Sequence, residues 1–223
     1  MSASTPIAMD SLLGASAPVQ AGAPSEAMDV PIEVAFPARR FSVAEYEQIG
    51  RAGNLTEDDS VELLEGLIVE KTTKYPPHDS TIDILAELLW RLLPMGWFPR
   101  AQNVFVTSDS EPEPDLVVTR GRPQNYMKRH PVADEVALII EVAESSIHRD
   151  RRKRKIYARA GVAQYWIFDL NSGHIEMYAE PNAAASEYQR KEVVTMATAV
   201  SFLVPVGGAV TLPLDTALQS SEG

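Results

Sequence analysis

The chain contains no cysteine, which excludes disulfides, thiolate zinc sites and a cysteine nucleophile. Histidine is scarce. The four residues, at 78, 130, 148 and 174, form no His-x-x-x-His pair and no His/Asp pair of catalytic spacing. There is no Gly-x-Ser-x-Gly elbow, P-loop or dinucleotide fingerprint. No apolar run reaches the roughly 18 residues of a membrane span, and the basic and apolar segments of a secretory signal are missing. Basic charge is absent before Arg39 and in deficit overall, with 20 Lys plus Arg against 31 Asp plus Glu and a formal charge of −11. That balance argues against a surface that coats nucleic acid, though not against a local basic cleft. A soluble, cytoplasmic protein is expected, with 223 residues that are 45% apolar forming one domain plus appendages.

Residues 1–38 stand apart. Up to Pro37 they hold five Pro, eight Ala and only the charges Asp10, Glu26, Asp29 and Glu33. This composition offers too little apolar surface to offset the entropy of ordering, so a disordered tail is expected. The remainder carries −7, from 20 basic and 27 acidic residues. Within it, 39–215 reads as one domain and 216–223 as a flexible end. Ser42 and Glu45 form a capping-box signature for a short helix. Val61 to Val69 reads as two strands around Glu65-Gly66, and the apolar spacing after His78-Asp79-Ser80 predicts a helix stopped by Pro94 and Gly96. Strands are expected at 103–107, 115–119, 136–142, 164–169 and 174–179, with further β structure through Val193 and 210–212. Arg149 to Ala160 reads as a basic helix ended by Gly161. Interleaved helices and strands predict an α/β (mixed α+β) fold, a mixed central sheet flanked by helices.

Acids stand where apolar residues are expected. Glu141 follows Val136-Ala137-Leu138-Ile139-Ile140, a run typical of a strand covered on both faces. A carboxylate there must be paired, protonated or bound to a metal, and an ion pair to one of the nearby arginines is the simplest alternative. Asp115, introduced by Pro114, opens Leu116-Val117-Val118. Two acids at the ends of adjacent strands can converge on a hard cation such as Mg²⁺. Glu62 shares a strand face with Leu64, a placement equally consistent with a solvated edge. In the basic helix, the stripe set by Ile156, Tyr157 and Ala160 includes Lys153 and Arg149, whereas Lys155 turns roughly 140° away. His78, at a helix start, is placed to touch a phosphate.

Pro114-Asp115 followed by Glu141 resembles the PD-(D/E)XK nuclease superfamily, although Ala143 stands where that superfamily carries its lysine. A longer set of segments is similar to the Uma-two family of candidate restriction endonucleases. It comprises 61–66 (Val-Glu-Leu-Leu-Glu-Gly), His78, 114–118, 140–146 (Ile-Glu-Val-Ala-Glu-Ser-Ser), Asp150 through Lys153 and Tyr157, and 161–169 (Gly-Val-Ala-Gln-Tyr-Trp-Ile-Phe-Asp). The resemblance spans about 41–195. It implies a restriction-endonuclease-like core and a metal-dependent endonuclease acting on DNA, with catalytic residues Glu62, Asp115, Glu141 and a lysine migrated to the helix, Lys153. It further implies Mg²⁺ or Mn²⁺ held by Asp115, Glu141, the Val142 carbonyl and Glu62, phosphate contacts from His78, Arg149, Arg151, Arg152 and Arg154, and a homodimer. The family spaces the helix Asp and Lys four apart, whereas Asp150 and Lys153 are three apart, so Lys155 remains the alternative lysine. A catalytically degenerate module that binds nucleic acid or a protein partner is the competing reading.

Overall fold

A computed structural model describes residues 38–56 and 58–218. The expected N-terminal tail, apart from its last residue, and residues 219–223 lie outside the described residues. The elements are α1 (Val43–Arg51), β1 (Val61–Leu64), β2 (Leu67–Glu70), α2 (Pro76–Leu92), β3 (Trp97–Ala101), β4 (Leu116–Arg120), β5 (Val136–Ala143), α3 (Ile147–Ala160), β6 (Gln164–Asp169), β7 (His174–Asn182), β8 (Glu187–Thr195), β9 (Val200–Val204), β10 (Gly208–Leu212) and α4 (Leu214–Ala217).

Six strands form one mixed sheet in the order β3-β4-β5-β6-β7-β8. Only β5 and β6 run parallel, because only they are joined by a helix, α3, long enough to return the chain to the same end. The alternation of β5 divides the core. Leu138, Ile140 and Val142 pack with Ile82, Leu85 and Leu89 of α2 and with the β9–β10 hairpin. Ile139 and Ala143 face Tyr157 of α3, together with Tyr165 and Ile167. All eight residues of β5 are buried, as the unbroken apolar run requires.

The β1–β2 hairpin is a separate two-stranded sheet. Its turn places Glu65 at φ 50° and Gly66 at φ 78°, the positive pair of a type I′ connection. Gly66 is also required by space, since a Cβ there would lie 2.7 Å from Arg40 Cβ. The hairpin is tied to the segment before β4 by Gly66 N–H donating to Asp109 O (2.8 Å) and Glu111 N–H to Leu63 O (2.7 Å).

The capping box at Ser42 is present, with Ser42 Oγ accepting from Glu45 N–H and the Glu45 carboxylate accepting from Ser42 N–H. Gly161, at φ 83°, ends α3 as expected. Two expectations are corrected. α2 begins at Pro76, since proline is suited to the first helical positions, where no intrahelical N–H bond is lost. Residues 103–107 form no strand; the strand beside β4 is β3, upstream. Pro99 disguised it, yet proline is tolerated because β3 is the edge of the sheet and one side needs no donor.

Candidate active site

Antiparallel pairing of Leu116 with Ile140 brings Asp115, one residue before β4, opposite Glu141. The two are joined directly, as Asp115 N–H donates to Glu141 Oε2 at 3.3 Å. Asp115 Oδ2 accepts from Val142 N–H at 2.8 Å and lies 3.2 Å from His78 Nε2. His78 comes from the first turn of α2, and its Nδ1 is 3.1 Å from Asp79 Oδ1. Lys74, on the coil leading into α2, sits 3.7 Å from Asp115 Oδ1.

The lysine arrives from α3. Lys153 Nζ is 3.0 Å from Glu62 Oε2 and 3.2 Å from Glu141 Oε1. One turn further along, Tyr157 donates its hydroxyl to the same Glu141 oxygen at 2.9 Å. The inward stripe therefore presents Lys153 and Tyr157 to the sheet, while Lys155 is exposed. Glu62 is 2% exposed, which corrects the solvated-edge alternative. Its Oε2 accepts from Glu113 N–H at 3.2 Å, so the carboxylate is enclosed by the segment that also anchors the hairpin.

The remaining predicted contacts separate. Arg149 lines the cleft and lies 4.0 Å from Glu62 Oε1. Arg151 instead grips Glu176 of β7 at 2.7 Å, and Arg154 pairs with Glu187 of β8 at 2.9 Å. Arg152 lies exposed on the same helix. Sequence reasoning missed Lys74, which carries no periodic signal on a coil, and gave Tyr157 a place in the inward stripe and in the resemblance but no role at the site. Asp150 entered only as part of the resemblance, yet it is buried, with Ser146 donating its hydroxyl to the carboxylate.

The electrostatics follow from crowding. Glu62, Asp115, Glu141 and Asp150 are all buried around one buried ammonium, Lys153. Burial pushes the Glu141 carboxyl well above the usual range; Lys153 opposes this, and the charges of Asp150, Asp115 and Glu62 reinforce it. Burial likewise pushes Asp150 up to about 6. For Asp115 burial is outweighed by the His78 hydrogen bond, the Val142 N–H and the charges of His78 and Lys74, so its carboxyl is held low. Burial works against the charge on Lys153, but Glu141, Glu62 and Asp150 outweigh it and hold the ammonium above its ordinary range. Burial also lowers His78, and Asp115 and Asp79 more than reverse it.

A cleft of about 40 Å³ lies among these groups. It is large enough for an ion-sized guest and a water. An excess of buried carboxylate over buried cation, with the Val142 backbone beside it, is the donor chemistry that Mg²⁺ or Mn²⁺ prefers. Among the described residues no three acids or histidines are already splayed around one point. Lys153 occupies the space between Glu62 and Glu141.

The sheet order, the β5–α3–β6 crossover and the acids on neighbouring strands define a nuclease-type α/β fold. The chain belongs to the Uma2 family, described as "Putative restriction endonuclease", whose model matches residues 43–214. Among solved structures, the chain is similar to a protein of Anabaena variabilis ATCC 29413 described as a "putative nuclease belonging to DUF820". The TM-score is 0.59 at 17% identity, covering 72% of this chain and 88% of that one, a likeness of fold. No curated protein matches the chain.

Proposed function

We propose that this protein is a Mg²⁺- or Mn²⁺-dependent endonuclease that hydrolyses phosphodiester bonds in DNA. The observation that carries the reading is Lys153, a buried ammonium delivered from α3 to within 3.2 Å of Glu141 and 3.0 Å of Glu62. It stands in the cleft that Asp115 also lines. The lysine thus comes from the helix, Ala143 standing two residues after the acid. Asp115, Glu141 and the Val142 carbonyl would hold the ion, with Glu62 completing the set directly or through water. The bound ion would polarise a phosphodiester oxygen and lower the pKa of a water. Lys153 orients the attacking water and offsets charge developing on the phosphate. Tyr157, donating to Glu141 Oε1, fixes that carboxylate's rotamer. His78 orients Asp115 in the same way and, with Arg149, lines the cleft that would take a phosphate.

The direct test is nicking of supercoiled plasmid and of single-stranded DNA. Cleavage is expected with Mg²⁺ or Mn²⁺ and its loss in EDTA; turnover that survives chelation, or none with either ion, overturns the reading. Metal uptake that depends on Asp115, measured by calorimetry, separates an enzyme from a degenerate binding module.

Arg149 and Arg151 provide a second comparison. Arg149→Ala should reduce the slope of log affinity against log salt by about 0.7–0.9, the share of one phosphate contact. Arg151→Ala should leave that slope alone and cost about 1 kcal/mol of stability instead. Burial raises the Glu176 carboxyl, but hydrogen bonds from Arg151, Tyr178 and Lys191 hold it at about 2. A depressed acid stabilises the fold above its unfolded pKa and stops doing so as pH falls towards 2, so this cost should fade in acid. Equal salt slopes in the two variants would remove Arg149 from the phosphate contacts.

A homodimer and a cytoplasmic location belong to the same proposal. Light scattering at micromolar concentration tests the first, a monomer mass being the contrary result. Among the described residues no helix is long and apolar enough to cross a membrane.

A further inference from the structure

Beside the catalytic cleft lies a second and larger cavity, of about 390 Å³, between α1 and the β1 hairpin. Lys71 and Glu113 line both, so the two spaces adjoin. Its wall includes Tyr46, Gly50, Leu55 and Glu111. Glu111 is unlike every other acid in the neighbourhood. It is 8% exposed, and its Oε2 is buried with no hydrogen-bond partner among the described residues. Glu113 is matched by Lys71 at 3.0 Å and Glu47 by Arg51 at 2.6 Å. A buried, unpaired carboxyl is costly to keep; burial accordingly pushes this one up to about 7, with the charge of Glu47 adding to it against Arg51.

We propose that this cavity receives an unstacked guanine of the DNA strand, adjacent to the scissile phosphate, and that Glu111 reads its Watson–Crick edge. The proposal rests on the nuclease reading and adds a specificity-determining residue to it. The wall chemistry selects the ligand. The one unpaired group in the wall is an acid, so a phosphate is not the group it would hold. With Glu47 and Glu113 already ion-paired, Glu111 alone is too few ligands for a metal cage. Turned so that Oε2 also opens to the cavity, that carboxylate matches a base edge with two parallel N–H donors, N1 and N2 of guanine, in the manner of other paired base contacts. Tyr46 supplies the aromatic wall against which an extruded base can stack. The volume lies in the range of small-ligand sites. Glu111 and Asp115 are four residues apart, at most about 14 Å along the chain, which keeps the base site near the phosphate site.

The test uses the full chain in EDTA, titrated with dGMP, dCMP, dAMP and dTMP and followed by NMR shift perturbation. dGMP should bind about tenfold or more tightly than the other three, and Glu111→Gln should bring all four within about twofold. Gly50→Phe blocks the cavity from the opposite wall, where an added Cβ meets nothing within 4 Å, and should abolish dGMP binding with Glu111 intact. With Mg²⁺ present, cleavage maps on random-sequence single strands should show guanine enriched at one fixed offset and lose that enrichment in Glu111→Gln. Selective dGMP binding without any cleavage would leave the pocket standing and overturn the nuclease reading. Equal binding of the four nucleotides, selectivity unchanged in Glu111→Gln, or cleavage with no base preference would overturn the pocket.

Discussion

Lys153→Met is expected to cost about 3–5 kcal/mol of folding stability at pH 8, the scale of removing one partner from a buried ion pair. It should also lower cleavage about 10²–10³-fold. The stability loss has a direct cause. Glu62 and Glu141 lie 3.0 and 3.2 Å from Nζ, and Met leaves both carboxylates buried with no cation between them. Arg149 is too far, at 4.0 Å and partly exposed, to replace it. The sign with pH follows from Glu141, whose carboxyl burial already pushes well above the usual range. An acid whose pKa is raised by folding contributes stability at low pH that is lost as pH rises through the folded value. Without Lys153 that loss deepens, so the variant should approach the wild type at pH 5 and fall furthest behind at pH 8. Denaturant melts at the two pH values decide the matter; an equal deficit at both would mean that the carboxylates are not what the lysine neutralises.

Glu141→Gln and Asp115→Asn should both reduce metal-dependent cleavage by about 10³ or more, since each removes a negative oxygen from the proposed ion site. Their effects on the metal-free fold should be opposite. Burial and neighbouring acids disfavour the charge on Glu141, so a neutral isostere should stabilise the protein at pH 8 by on the order of 1 kcal/mol. Lys153 keeps Glu62, and the Tyr157 hydroxyl can turn to accept from the amide. Asp115 is the reverse case. His78, the Val142 N–H and Lys74 hold its carboxyl low against burial, so ionised Asp115 stabilises the fold above its unfolded pKa and ceases to as pH falls. Asn at 115 should therefore cost about 1–3 kcal/mol at pH 7, the worth of hydrogen bonds to a charged group, and progressively less as the pH falls below about 4. A gain in function at the expense of stability is the usual signature of acids gathered for chemistry. Two variants that shift stability in the same direction would remove the electrostatic contrast between the carboxylates.

Local chemistry made much of this legible beforehand. The Ser42 capping box, the Glu65-Gly66 turn and the Gly161 helix end are each specified by residues within one turn of chain. Glu141 was conspicuous because a charge on an unbroken apolar strand breaks a pattern with a clear physical meaning. Lys153 was selected over Lys155 by helix rotation once Ile156 and Tyr157 fixed the inward face. What failed did so for equally specific reasons. Pro99 hid an edge strand, because sequence does not show which strands lack a neighbour. The arginines of α3 were grouped by proximity in the chain, whereas rotation around the helix sends Arg151 and Arg154 to acids of β7 and β8 and leaves Arg149 at the cleft.

The sequence by itself determined the α/β class, most element boundaries, and the acids and lysine that stand against their surroundings. These depend on periodicity and on the cost of burying charge, which are properties of short segments. Only the tertiary structure decided the company those residues keep. Lys74 and His78 reach Asp115 from the coil and first turn of α2, Glu62 is enclosed by the segment that anchors its hairpin, and Glu111 is left buried and unpaired. Such contacts join residues up to 91 positions apart, Glu62 and Lys153, and their energies depend on dielectric and partner geometry. Neither quantity exists until the β4–β5 register and the α3 crossover bring distant parts of the chain together.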